Sequence, residues 1–301
     1  MFELKNPKKA IPIVLIAGIL WSFGPLVVRH MEDPHLVPWQ YIFGRGLTIF
    51  IILNLYLYFE EGINFYKNYK KIGLSGIIGG SGLGIAMITF IYSITNTSAA
   101  ITLLCLAAMP FFTALLAFLF LKEKISLSVW ISIFIAAFGI LIMAIGSGEQ
   151  NTIIGFVFGI TSSIGFSVFS VTLRWRKETP KFTTVAFAGF FCFAFSAIVI
   201  LSNGLTFLSS SYNGAMFSLH GTLVCLGLIL YSIGSKAIPA AELTLLSLTE
   251  VIGGIFWVWV PILGINEVPS TNTIIGGFFL FISLFYYSLI MRWNKRYIAL
   301  N

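Results

Sequence analysis

Glu250 stands alone in a run that is otherwise apolar or small, LLSLTEVIGGIFWVW over residues 245–259. A carboxylate so placed can exchange a proton, bind part of a small molecule or close an ion pair with a base. Ser247, Glu250, Gly254 and Trp257 follow the spacing i, i+3, i+7, i+10, which is one face of a helix. Leu248, Ile252 and Ile255 fall on other faces. The stripe is therefore a candidate binding face, and the competing reading is a fixed ion pair. Arg45 is the base within reach, first as a structural anchor and second as a site for an anionic group. His220 reads as a hydrogen-bonded structural residue ahead of a proton relay. Trp21, Tyr92 and Tyr231 carry an apolar face and a polar edge, suited to stacking on a bound molecule or to helix packing.

The solvent around these residues decides what must position them. The 301-residue chain is 58% hydrophobic and 10% charged, with 30 Phe, whereas soluble domains are about a quarter charged. Lipid is the expected solvent, and a helix needs about 20 apolar residues to cross it. Ten segments qualify, at 10–29, 38–59, 72–95, 98–121, 127–146, 152–173, 182–202, 214–235, 240–263 and 272–291. The first apolar run is too long for a signal-peptide core and lacks a cleavage-type small-residue site, so it reads as the first spanning helix. At a rise of 1.5 Å per residue, Glu250 lies about 15 Å deep and Arg45 about 10 Å. At such depth a carboxylate is expected to face a cavity or a partner, or to be protonated.

Basic residues test the count. With the N-terminus cytoplasmic, one side holds Lys5, Lys8, Lys9, Lys67, Lys70, Lys71, Lys122, Lys124, Arg174, Arg176, Lys177, Lys181, Lys236, Arg292, Lys295 and Arg296. Only Arg29 falls outside and Arg45 within a segment. This asymmetry predicts both termini in the cytoplasm of a cell whose inner or plasma membrane holds the chain. The net charge of +7 is thus a topology signal, and nucleic acid is not an expected partner. Cys105, Cys192 and Cys225 sit far apart in apolar stretches and read as small buried hydrophobes.

The chain also repeats itself. GILWSFG (18–24) is echoed by GITSSIG (159–165), and YSI recurs at 92–94 and 231–233. Ala99-Ala100 with TLL (102–104) returns as Ala240-Ala241 with TLL (244–246), and Glu123-x-x-Ser126 returns as Glu267-x-x-Ser270. Four echoes in one order indicate two five-helix units, 10–146 and 152–291. Five is odd, so the second copy enters the membrane inverted. Inverted repeats are a recurrent transporter architecture with the site between the halves. On this reading Gly18 superposes near Gly159, and Ser22 near Ser163.

The runs SKAIPAAELTLLSLTEVIGG and VWVPILGINEVPSTNTIIGG resemble the second repeat of EamA-type permeases of the drug/metabolite transporter superfamily. IYSITNTSAAITLLCLAAMPFFTALLAFLFLKEKIS resembles the first, as do WSFGP of the first helix and Phe43-Gly44-Arg45 of the second. The resemblance implies ten helices and movement of small organic solutes, with amino acids or derivatives a family-level expectation. It also implies a cavity lined by helices 1, 3, 4, 6, 8 and 9, with helices 5 and 10 at the edge and helix 2 not central. The family often places Pro after the acidic residue of helix 9, where this chain has Val251. Pro110 keeps the first repeat's proline, and Gly253-Gly254 is the expected source of flexibility in the second.

Two other constellations are weaker. Gly79-x-Ser81-Gly82 matches an intramembrane serine protease context with His220 as an imagined base, but it leaves the duplication unexplained. His30, Glu32, Asp33 and His35 share a loop without a ligand spacing, so a solvated loop is expected rather than a metal site. The resulting expectation is an all-α membrane protein that transports small metabolites by alternating access, export ahead of uptake. It involves no enzyme chemistry, cofactor or metal, and a homodimer is compatible with it. The alternatives are a channel-like or scaffold protein, then an intramembrane hydrolase.

Overall fold

The computed structural model describes residues 6–145, 153–176 and 178–298. The connection expected at 147–151, Lys5 and Lys177 lie outside the described residues, as do the side chains of Arg292, Lys295 and Arg296. Among the described residues every regular element is a helix. In hydrocarbon each backbone N–H and C=O must be bonded within its own segment, and a helix does this.

Ten rods follow one another. They are α1 (α1a Pro7–Ser22, α1b Gly24–His30), α2 (Pro38–Glu61), α3 (Gly73–Asn96), α4 (α4a Ala99–Leu106, α4b Met109–Leu116) and α5 (Leu127–Ile145). Then come α6 (Ile153–Trp175), α7 (Lys181–Ser202), α8 (Ser211–Gly234), α9 (α9a Ala240–Leu246, α9b Thr249–Trp259) and α10 (Thr271–Ile298). Among the described residues eight are long and apolar enough to span. The apolar stretches of the other two, α5 and α10, are shorter, at Leu127–Ile142 and Ile274–Tyr287. Starts are set by local chemistry: Asn6 caps α1 ahead of Pro7, Pro38 opens α2, and the Ser98 and Ser210 hydroxyls cap α4 and α8.

Three rods are interrupted. Pro25 and Pro110 remove backbone donors just past the breaks in α1 and α4. α9 breaks without a proline, and not at Gly253-Gly254. Thr244, Ser247 and Thr249 each donate a hydroxyl to a carbonyl three residues back, at 3.1, 2.8 and 3.2 Å. Such back-bonding competes with the helical ladder. The backbone there tightens to i→i−3 bonds, Leu248 to Leu245 at 3.2 Å and Glu250 to Ser247 at 2.9 Å. The glycines serve close packing instead: a Cβ on Gly253 would lie 2.7 Å from Ser22, and one on Gly254 2.7 Å from Leu103. α9 also stops at Trp259 rather than 263, because Val260 is held extended ahead of Pro261.

The rods pack in pairs that map onto one another when five is added to each number. α1 lies on α8 and α6 on α3; α1 on α9 and α6 on α4; α2 on α8 and α7 on α3. The pairs α2–α7, α4–α9 and α5–α10 map onto themselves. The α3–α6 crossing is close, with a Cβ on Gly165 placed 2.6 Å from the Gly82 carbonyl. α5 and α10 sit together at one side, where Ser283 donates to the Ser132 carbonyl at 2.7 Å. Phe134, Phe138, Phe278 and Phe281 point away from the bundle there.

Candidate functional site

A cavity of about 60 Å³ lies among α1, α3, α4, α6, α8 and α9, with Arg45 of α2 added to its wall. Glu250 sits in the first turn of α9b, just past the interruption, and lines this cavity. Trp21 and His220 line it too, so three candidates from distant segments meet at one place. Met87, Phe90, Met109 and Phe166 are among its other lining residues. Ser162 adds a hydroxyl that donates to the Ala86 carbonyl at 2.8 Å.

Arg45 and Glu250 share the wall but form no ion pair within 4.0 Å. The guanidinium instead donates to the Met87 carbonyl and lies 6.0 Å from the Tyr41 ring and 5.9 Å from the Phe90 ring. Its Nε is buried with no hydrogen-bond partner. His220 is hydrogen-bonded through Nδ1 to the Tyr41 hydroxyl, and its ring lies against Gly24.

The aromatic wall is fixed by packing. Trp21 sits 5.4 Å from Phe166 and 5.3 Å from Tyr231, and Phe166 lies 5.2 Å from Tyr231. Trp21 donates Nε1 to the Val224 carbonyl at 3.2 Å, resting in a notch that a Cβ on Gly227 would fill. Tyr231 lies behind this wall, fully buried, bonded to Ser170 at 2.7 Å.

The remaining candidates lie elsewhere. Ser247 is fully buried at the α9 break. Trp257 donates to Ser22 at 2.8 Å and stacks on Phe23 at 4.7 Å. Tyr92 packs on Trp39 and Phe158. The interruption sets Ser247 apart from the stripe, whereas Glu250 and Trp257 stand two turns apart on the same segment, α9b, where Trp257 turns to Ser22 and Phe23. Sequence reasoning missed Tyr41, Met87, Phe90 and Phe166, which carry no signal that separates them from packing residues.

Among the described residues no group of three or more His, Cys, Asp or Glu could hold a metal ion. In the first connection Glu32 ties to α8: its N–H donates to Asn213 at 2.9 Å and its carboxylate accepts from Ser210 at 2.6 Å. Cys105, Cys192 and Cys225 are buried free thiols.

Residues 8–145 match the EamA-like transporter family. Two proteins described as uncharacterized transporters, both from Helicobacter pylori, are similar. The one from strain J99 is 29% identical over 171 residues, and the match spans 56% of each chain. The one from strain 26695 is 25% identical over 256 residues, 82% of this chain and 84% of that one. A solved crystal structure superposes with a TM-score of 0.71 at 18% identity, covering 95% of this chain and 98% of the other. That likeness shows the fold alone.

Proposed function

We propose that this chain, whose residues 8–145 match the EamA-like transporter family, is a multi-pass membrane transporter that moves a small organic metabolite by alternating access. The observation that carries this reading is the cavity. Helices of both halves build it, three interrupted rods border it, and Arg45 and Glu250 face it together. Broken helices beside a mid-membrane site are a recurring way to present polar groups to a solute in lipid. The closed set of helix pairs supports two inverted units, 10–146 and 152–291, which supply two states of similar energy.

At about 60 Å³ the cavity has room for a few waters, while ligand sites run about 300–1,000 Å³. It must widen to admit a metabolite. That favours a carrier that changes shape over a standing channel.

Purified protein in liposomes should give flux that saturates with solute and is competed by analogues. Amino acids and their derivatives form the first set to test, with export the first direction. A thermal-shift screen selects among them, since a ligand of the folded state raises its apparent stability. Flux that rises linearly without saturation would sink the carrier reading.

A further inference from the structure

Two side-chain clusters of the same make stand at opposite ends of the bundle, outside the cavity. At one end Arg29, in the last turn of α1b, donates Nε to Glu267 at 3.1 Å. Its two terminal nitrogens donate to the carbonyls of Ile94 (3.1 Å) and Thr97 (3.0 Å) at the end of α3. The other oxygen of Glu267 accepts the Ala99 N–H at 3.0 Å, at the start of α4a. At the other end Arg174, in the last turn of α6, donates Nε to Glu123 at 2.6 Å. It also donates to the carbonyls of Ser235 (3.2 Å) and Ile238 (2.9 Å), just past α8.

The two clusters correspond element by element. Adding five turns α1 into α6, α3 into α8, and the connection after α4 into the connection after α9. The first cluster ties the ends of α1, α3 and α4 to the chain leaving α9. The second ties the ends of α6 and α8 to the chain leaving α4 and the chain entering α9. Each therefore holds four of the six cavity-lining helices together at one face, and the two act on opposite faces.

The clusters are also reachable. Side-chain exposure is 22% for Arg29 and 29% for Glu267, and 27% for Arg174 and 21% for Glu123. A half-wet pair opens at modest cost because water takes over its hydrogen bonds, which a dry buried pair cannot do. A solvent-open pocket of about 480 Å³ reaches the first cluster, lined by Arg29, Thr95, Asn96, Thr97, Ser98 and Glu267.

We propose that Arg29–Glu267 and Arg174–Glu123 are the two gates of the cavity, opened in alternation. Access from the Arg29 face requires the first cluster to part while the second holds, and access from the Arg174 face requires the reverse. The assignment rests on the alternating-access reading above. It also gives a role to Arg29, the one Lys or Arg expected on the sparsely charged face.

The test uses the full chain with Cys105, Cys192 and Cys225 replaced by Ala, and Ser162→Cys as a reporter in the cavity wall. A membrane-impermeant thiol reagent is applied from either face, in right-side-out and inside-out vesicles. Glu267→Gln should raise labelling from the Arg29 face roughly tenfold, the shift expected from losing one charge-assisted hydrogen bond. Labelling from the other face should not rise. Glu123→Gln should do the opposite. Where a Gln variant fails to fold, Arg29→Lys and Arg174→Lys loosen the fork with charge kept, and the same opposed shifts are expected. Changes of the same sidedness in both variants, or lowered melting temperature with labelling unmoved, would overturn the gates and mark the pairs as structural. Unmoved labelling with saturable flux would leave the transport reading standing. Opposed labelling shifts without flux of any solute would sink that reading and keep the gates.

Discussion

Glu250 faces the cavity from the first turn of α9b and has no salt-bridge partner within 4.0 Å. We propose that this carboxylate, lining the cavity with no ion-pair partner within 4.0 Å, exchanges a proton during the cycle. Glu250→Gln keeps the size and the hydrogen bonding and removes titration. Solute binding and exchange should survive in the variant, while accumulation driven by a proton gradient is lost. Unchanged accumulation would exclude the proton role. The lone carboxylate was legible in the sequence as a residue out of place. Its separation from Arg45 was not, because the Met87 carbonyl and the Tyr41 and Phe90 rings that hold the guanidinium come together only in the folded bundle.

At the scale of elements, small residues decide how closely the rods approach. Gly165 and Gly82 meet backbone to backbone, so a side chain at either pushes α3 from α6. Gly165→Leu should cost on the order of 1–3 kcal/mol as overpacking, read as a lowered melting temperature of the purified protein. Gly277→Ala, at a site with nothing within 4 Å, should leave melting unchanged. Equal melting in the two variants would show that the crossing is not close. The structure puts α6 against the glycine-rich α3. The break in α9 was hidden in the sequence. Thr244, Ser247 and Thr249 look like ordinary small polar residues, and only their shared back-bonding opens the ladder.

For the whole molecule, the charge asymmetry predicts sidedness. Thr206→Cys, in the exposed connection between α7 and α8, should react with an impermeant reagent in intact cells. Asn64→Cys, between α2 and α3, should react only after lysis. The reverse pattern would invert the topology, and labelling of both in intact cells would break the helix count.

The ten apolar rods and their approximate limits were legible in the sequence, because solvation in lipid acts residue by residue along the chain, and among the described residues eight of them are long and apolar enough to span. The echo of Glu123 in Glu267 was visible there as well, as a mark of duplication. What Glu123 and Glu267 hold was not. Arg29 reaches Glu267 across 238 positions, and Trp21 reaches the Val224 carbonyl across 203. Contacts of that range depend on how rods stack, which the hydropathy of a single rod does not contain. Tertiary packing therefore chose which candidates share a cavity. Trp21, His220 and Glu250 meet there with Arg45, while Trp257, Ser247 and Tyr92 are taken up elsewhere by hydrogen bonds and rings.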